Sequence, residues 1–127
     1  MIKRFGVEGG NPYGLPISVA VRAGDFVFVS GQAALNPAGT ILAGDIAAET
    51  RLTIERLKAG LAVAGCTLVD VVKATVWITD PTDFPAFNAV FKKYFGAHPP
   101  ARSTLVSRMV VDARVEIELT AYKPFSR

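Results

Sequence analysis

Residues 114–122 alternate without a break. Val115, Ile117, Leu119 and Ala121 are apolar, while Glu116, Glu118, Thr120 and Tyr122 carry polar groups between them. Period two with one polar face predicts a strand whose polar side meets water, a ligand or a partner. Residues 71–79, rich in Val, Thr, Ile and Trp77, predict a second strand. Residues 19–22 and 26–30 read as two strands around Ala23-Gly24-Asp25, a hairpin turn. Phe26-Val27-Phe28-Val29 is apolar on both faces, which suits a central strand, and it runs into the polar Ser30-Gly31-Gln32. A further strand is predicted at 103–108, joined to the last by a connection at 109–113. Residues 1–16, rich in Gly, Asn and Pro, read as loop or edge material, and Asn36-Pro37-Ala38-Gly39 as a turn.

Two segments follow the helical period instead. Ile54, Leu57, Leu61 and Ala64 recur at helical spacing, Asp45 can cap the start with Glu49 in the first turns, and Gly65 can close the end. This predicts a helix at 46–64. Asp80-Pro81-Thr82-Asp83 is a turn and a second helix start, and Pro85 is tolerated in a first turn. Phe84, Phe87, Phe91 and Phe95 then form an aromatic stripe that Gly96 stops. The stripe reads as a face packed on a sheet rather than a cofactor box. The order is strand pair, helix, strand, helix, strand pair, which predicts an α+β sandwich with both helices on one side of the sheet. The sheet's other face must be covered, and self-association does this economically.

Composition narrows the picture. The 127 residues suit one domain, 50% of them are hydrophobic and 20% charged, and the net charge is only +3. Basic residues are scattered and do not interleave with aromatics, which argues against a nucleic-acid partner. No stretch is apolar enough to span a bilayer, so no membrane partner is expected. The N-terminal Lys3 and Arg4 lead into glycines and Glu8 rather than a signal-peptide core, so the expected location is the cytoplasm. Cys66 is the single cysteine, which excludes an intramolecular disulfide, fits a reducing compartment and reads as buried filler.

The candidate chemistry is sparse. The glycines do not precede helices as a phosphate loop requires. One His and one Cys cannot supply a typical zinc site, so no metal or other cofactor is expected. His98, between Ala97 and Pro99, reads as a loop histidine. The informative stretch is His98-Pro99-Pro100-Ala101-Arg102-Ser103-Thr104, where two prolines hold the backbone extended and an arginine enters a strand beside apolar neighbours. Its planar fork matches a carboxylate at two points. A glutamate nearby, Glu116 or Glu118, can orient or deprotonate a water. Ser30, Asn88 and Thr104 add polar groups. The other reading of Arg102 is a salt bridge to Glu116 or Glu118 across neighbouring strands.

Six segments together resemble the RidA family, also called YjgF or reactive intermediate deaminase. They are Phe28-Val29-Ser30-Gly31-Gln32, Asp70-Val71-Val72-Lys73-Ala74-Thr75-Val76, Asp83-Phe84 with Asn88, Tyr94-Phe95-Gly96, Pro100-Ala101-Arg102-Ser103 and Val115-Glu116-Ile117-Glu118. The resemblance covers residues 16–122, and the Pro-Ala-Arg-Ser motif in register with the others is its specific part. It implies a fold like that of the small bacterial chorismate mutase, assembled as a barrel-like homotrimer with clefts at the subunit boundaries. It also implies hydrolysis of enamines and 2-imino acids to 2-keto acids and ammonia, with no cofactor. Residue by residue, Arg102 matches the family position that binds the substrate carboxylate, and Glu116 the position that orients water. Ser30, Gly31 and Asn88 match other cleft positions, and Thr104 stands where many members have cysteine.

The chain departs from the family at the front of the cleft. Where active deaminases often carry Gly-Pro-Tyr-Ser-Gln, it reads Gly14-Leu15-Pro16-Ile17-Ser18-Val19. Ile17 cannot donate a hydrogen bond, so one wall becomes apolar, and only a loop rearrangement would bring Tyr13 back. Three functions follow. The first is an imino-acid deaminase, including a variant for a catabolic enamine acid with a bulkier apolar group. The second is a trimer that binds small carboxylates or keto acids without turnover. The third, the ribonuclease label attached to some relatives, finds neither an aromatic-basic platform nor a histidine pair here.

Overall fold

The computed structural model describes residues 1–6, 14–35 and 44–125. Gly24, at φ +61°, turns β2 (Ala20–Ala23) back into β3 (Phe26–Gln32). The expected hairpin is formed, with Ala20 opposite Val29 and Ala23 opposite Phe26. The N-terminal edge material supplies β1 (Ile2–Phe5), antiparallel to β2 along the sheet's rim. The expected turn at 36–39, and Tyr13, lie outside the described residues.

Helix α1 spans Ile46–Val63. Asp45 Oδ1 accepts from the Ala48 amide at 2.8 Å, satisfying one free donor of the first turn. Gly65, at φ +79°, takes the left-handed conformation that ends the helix without a side-chain clash. Thr50 and Thr53 are buried, and each hydroxyl donates to the carbonyl four residues back, Ile46 and Glu49 respectively, at 2.7 Å. A Cβ on Gly60 would lie 3.0 Å from Val29 Cγ1, so the bare glycine lets α1 approach β3.

After β4 (Val71–Ile78), a 3-10 turn at Pro81–Asp83 leads into α2 (Phe84–Phe95). The chain returns as β5 (Ala101–Val106), parallel to β4. The strand begins two residues earlier than the sequence predicts, because pairing with β4 starts immediately after Pro100, with Ala101 opposite Lys73. β6 (Val115–Tyr122) then inserts between β3 and β4, antiparallel to both. The sheet order is β1-β2-β3-β6-β4-β5, a mixed six-stranded sheet with both helices on one face. This is the expected α+β sandwich.

The core lies between helices and sheet. Ile54, Leu57 and Leu61 of α1 and Phe87 and Phe95 of α2 meet Val27, Val76, Val115 and Ile117, all buried. The other sheet face carries Phe28 (48% exposed), Leu105 (45%) and Tyr122 (44%). Among the described residues no helix is long and apolar enough to cross a membrane.

Glu49 is a buried charge that ties the start of α1 to the start of β6. Its Oε1 accepts from the Arg114 amide at 3.1 Å, and Arg114 Nε lies 3.4 Å from Oε2. A hydrogen bond to a charged group contributes about 2 kcal/mol. Glu49→Ala is expected to lower unfolding free energy by about that amount, read as a lower urea midpoint at unchanged slope. A loss under about 0.5 kcal/mol would mean the tie contributes little.

Candidate functional site

Arg102 is the second residue of β5 and pairs with Ala74, which is fully buried under the helices. Paired residues share a face, so Arg102 leaves the sheet on the helical side. Its guanidinium carbon lies 5.7, 5.4 and 4.8 Å from the ring centroids of Phe84, Phe87 and Phe91. Among the described residues no carboxylate comes within 4.0 Å of it. Burial alone lowers its pKa from the ordinary guanidinium value. The arginine lines a hollow of about 410 Å³ with Asn88, Phe91, Lys92, Phe95, Pro99 and Pro100. Thr104, two residues on and therefore on the same face, lines a separate hollow of about 240 Å³ with Ile78, Pro81, Phe84, Leu105 and Val106.

Glu116 belongs to the other face. It pairs with Trp77, whose neighbours Val76 and Ile78 point into the core. Register between β3 and β6 shifts between Val29 and Gln32, so Ser30 and Gly31 form a bulge. The Glu116 carboxylate lies over it. A Cβ on Gly31 would come 2.7 Å from Glu116 Oε2, so the glycine leaves the space the carboxylate fills. Burial first, and the Glu118 charge second, raise the Glu116 pKa above the ordinary value. The Ser30 hydroxyl donates to the Ser18 carbonyl at 2.6 Å, and Ile17, the next residue along, is 44% exposed. Ser30, Gly31 and Glu116 therefore form one cluster, with Ile17 in the segment that the Ser30 hydroxyl tethers.

The predicted site residues fall into two groups. Arg102, Asn88 and Thr104 lie on the helical side of the sheet's edge, and the Glu116 cluster lies on the open side. The salt bridge from Arg102 to Glu116 or Glu118 is not made: β5 and β6 flank β4 rather than each other, and the side chains leave opposite faces. The aromatic stripe has a second role that the sequence reading missed. Its spacing marked a packed face, and nothing in the sequence showed that the same face meets Arg102. His98 is exposed in the loop after α2, as expected. Cys66 is buried, and burial is the main cause that raises its thiol pKa, which suits filler rather than a nucleophile. Among the described residues no three His, Cys, Asp or Glu are grouped so as to hold a metal ion.

Comparison with known proteins adds a lineage to this geometry. The family model described as Endoribonuclease L-PSP matches residues 13–123. A RutC family protein of Pyrococcus horikoshii is 46% identical over 110 residues, covering 85% of this chain and 87% of its own. An Escherichia coli protein called "Putative reactive intermediate deaminase TdcF" is 37% identical, covering 85% and 87%. The crystal structure of E. coli TdcF with bound serine superposes with a TM-score of 0.78 at 38% identity, covering 86% and 89%. A Mycobacterium tuberculosis structure, described as a member of the YjgF/YER057c/UK114 family, gives 0.82 at 30% identity, covering 96% and 99%. With the family model spanning nearly the whole chain and relatives this similar along it, the chain belongs to the Endoribonuclease L-PSP family, the RutC and YjgF group whose motifs it carries.

Proposed function

We propose that this protein hydrolyses reactive 2-imino acids and their enamine tautomers to 2-keto acids and ammonia. Arg102 binds the substrate carboxylate, and Glu116 orients the water that adds to the C=N carbon. The tetrahedral carbinolamine then collapses to the keto acid and releases ammonia. The imine carbon is already electrophilic, so positioning and modest proton transfer are most of what the reaction needs. A carboxylate of raised pKa is a better base near neutral pH than an ordinary one.

The observation that carries this reading is Arg102, a cation held against aromatic rings at the wall of a hollow, with no carboxylate within 4.0 Å among the described residues. Support also comes from the 37%-identical relative named as a reactive intermediate deaminase, and from the small amino acid bound in the TdcF structure. Because Arg102 and Glu116 leave opposite faces, one substrate cannot reach both within a single chain. The reading therefore requires a site shared between copies, with Arg102 from one and Glu116, Gly31 and Ser30 from the next, as in the homotrimer that the family resemblance implies. The apolar groups on the open sheet face, Phe28, Leu105 and Tyr122 among them, fit burial in such an assembly. Exposed Ile17 would then add an apolar wall suited to a bulkier side chain.

The test couples an amino-acid oxidase, which makes imino acids in place, to semicarbazide trapping. Purified protein is expected to suppress the semicarbazone signal, and Arg102→Ala to reduce kcat/KM by about 30- to 1,000-fold, equivalent to about 2–4 kcal/mol. Hydrolysis no faster than in buffer would remove the enzymatic reading. Saturable binding of 2-oxobutanoate that depends on Arg102, without turnover, would favour the carboxylate-binding trimer instead.

Glu116 acts ionised and its pKa is raised, so the acid limb of kcat/KM should lie above the ordinary glutamate range near about 4.3. Glu118→Gln removes the second cause of that shift, so the limb should move to lower pH; a move upward would contradict the assignment. Glu116→Gln should abolish turnover. Ionising a group whose folded pKa is raised costs the folded state stability at high pH. Glu116→Gln should therefore raise Tm at pH 7, and the gain should vanish as pH falls below the unfolded carboxylate pKa. A gain that persists at acid pH would point to a packing effect.

A further inference from the structure

Phe84 opens α2 and is 38% exposed, while Phe87 and Phe91, one and two turns on, are buried in the core. Their spacing of three and four residues puts all three rings on one helix face. Phe87 and Phe91 need no further reason to be aromatic, since they pack between helix and sheet. Phe84 is different. Its ring is less fully packed than theirs, and its centroid is 5.7 Å from the Arg102 guanidinium carbon.

The place of that ring between two hollows matters as much. Arg102 lines the hollow walled by Asn88, Phe91 and Pro100, and is absent from the wall of the other. Phe84 lines the second hollow together with Thr104 and Leu105. An arginine on an edge strand has many rotamers open to it, and ring faces around the guanidinium restrict them while attracting the cation.

We propose that Phe84 is a positioning residue for Arg102: its ring closes the third side of an aromatic cradle and turns the guanidinium fork toward the Asn88 hollow, away from the Thr104 hollow. The inference rests on the reading of Arg102 as the carboxylate-binding group. The substrate that fits this arrangement is a 2-imino acid whose carboxylate meets the fork while its side chain lies against Phe91, Phe95 and the prolines. Phe84 itself does no chemistry. It sets where the fork waits.

The experiment compares Phe84→Leu, which keeps an apolar side chain and removes the ring face, with Phe84→Tyr, which keeps the ring. Steady-state kinetics on an imino acid, calorimetry with 2-oxobutanoate and thermal melts are run on both, beside Arg102→Ala. Phe84→Leu is expected to raise KM and the 2-oxobutanoate Kd together by about five- to ten-fold, with kcat within about two-fold and Tm nearly unchanged. Phe84→Tyr is expected to match the wild type. A Phe84→Leu protein with unchanged KM and Kd, while Arg102→Ala loses binding, would overturn the positioning role and leave the carboxylate-binding role standing. Loss of kcat together with Tm, unrescued by Phe84→Tyr, would also overturn it, because that pattern belongs to a residue needed only for folding. If Arg102→Ala itself changed neither binding nor turnover, both readings would fall.

Discussion

A β-strand sends successive side chains to opposite faces, and in this protein that rule separates the two groups that the proposed reaction uses. Arg102 shares its face with Ala74, and Glu116 shares the other with Trp77. A slip of one residue in either strand would exchange core and surface along its length. The buried row Ala74, Val76 and Ile78 on β4, and Val115, Ile117, Leu119 and Ala121 on β6, leaves no freedom for such a slip. The separation is thus a consequence of burying the core. It leaves Arg102 and Glu116 on opposite sides of the sheet, and it directs the proposed mechanism to a seam between copies.

Each of the two groups is held by packing rather than by an ion pair. Three phenylalanine rings face the Arg102 guanidinium, and no described carboxylate neutralises it. A partner carboxylate from the protein would compete with that of a substrate, and rings do not. On the other side, the bulge at Ser30 and Gly31 brings the Glu116 carboxylate against bare backbone, and desolvation raises its pKa. Both groups are therefore held partly dry. Electrostatic interactions with an incoming ligand strengthen when water is already excluded.

Helix α2 links the core to the site. Its buried face contributes Phe87, Phe91 and Phe95 to the interior, and the same row of rings continues to Phe84 at the helix start, beside the arginine. The 3-10 turn at Pro81–Asp83 and the parallel return into β5 bring that face over the edge strand. Core packing and cation placement thus share one stripe. Burial along it grades from complete at Phe87 to partial at Phe84.

The local part of this structure was legible in the amino-acid order alone. Asp45 and Gly65 bounded α1, Gly24 made the hairpin, and the alternation of 115–122 assigned each residue of β6 to a face, because caps, turns and pleat act over a few residues. The family motifs marked Arg102 and Glu116 as a pair of interest. Strand order was another matter. β6, last in sequence, enters between β3 and β4, and β5 is left at the edge, so two strands that follow one another in the chain are not paired. Which groups face each other across a sheet depends on non-local pairing and on which face the helices cover. Only the folded chain settled that Arg102 meets aromatic rings instead of a glutamate, and that Glu116 waits on the far side.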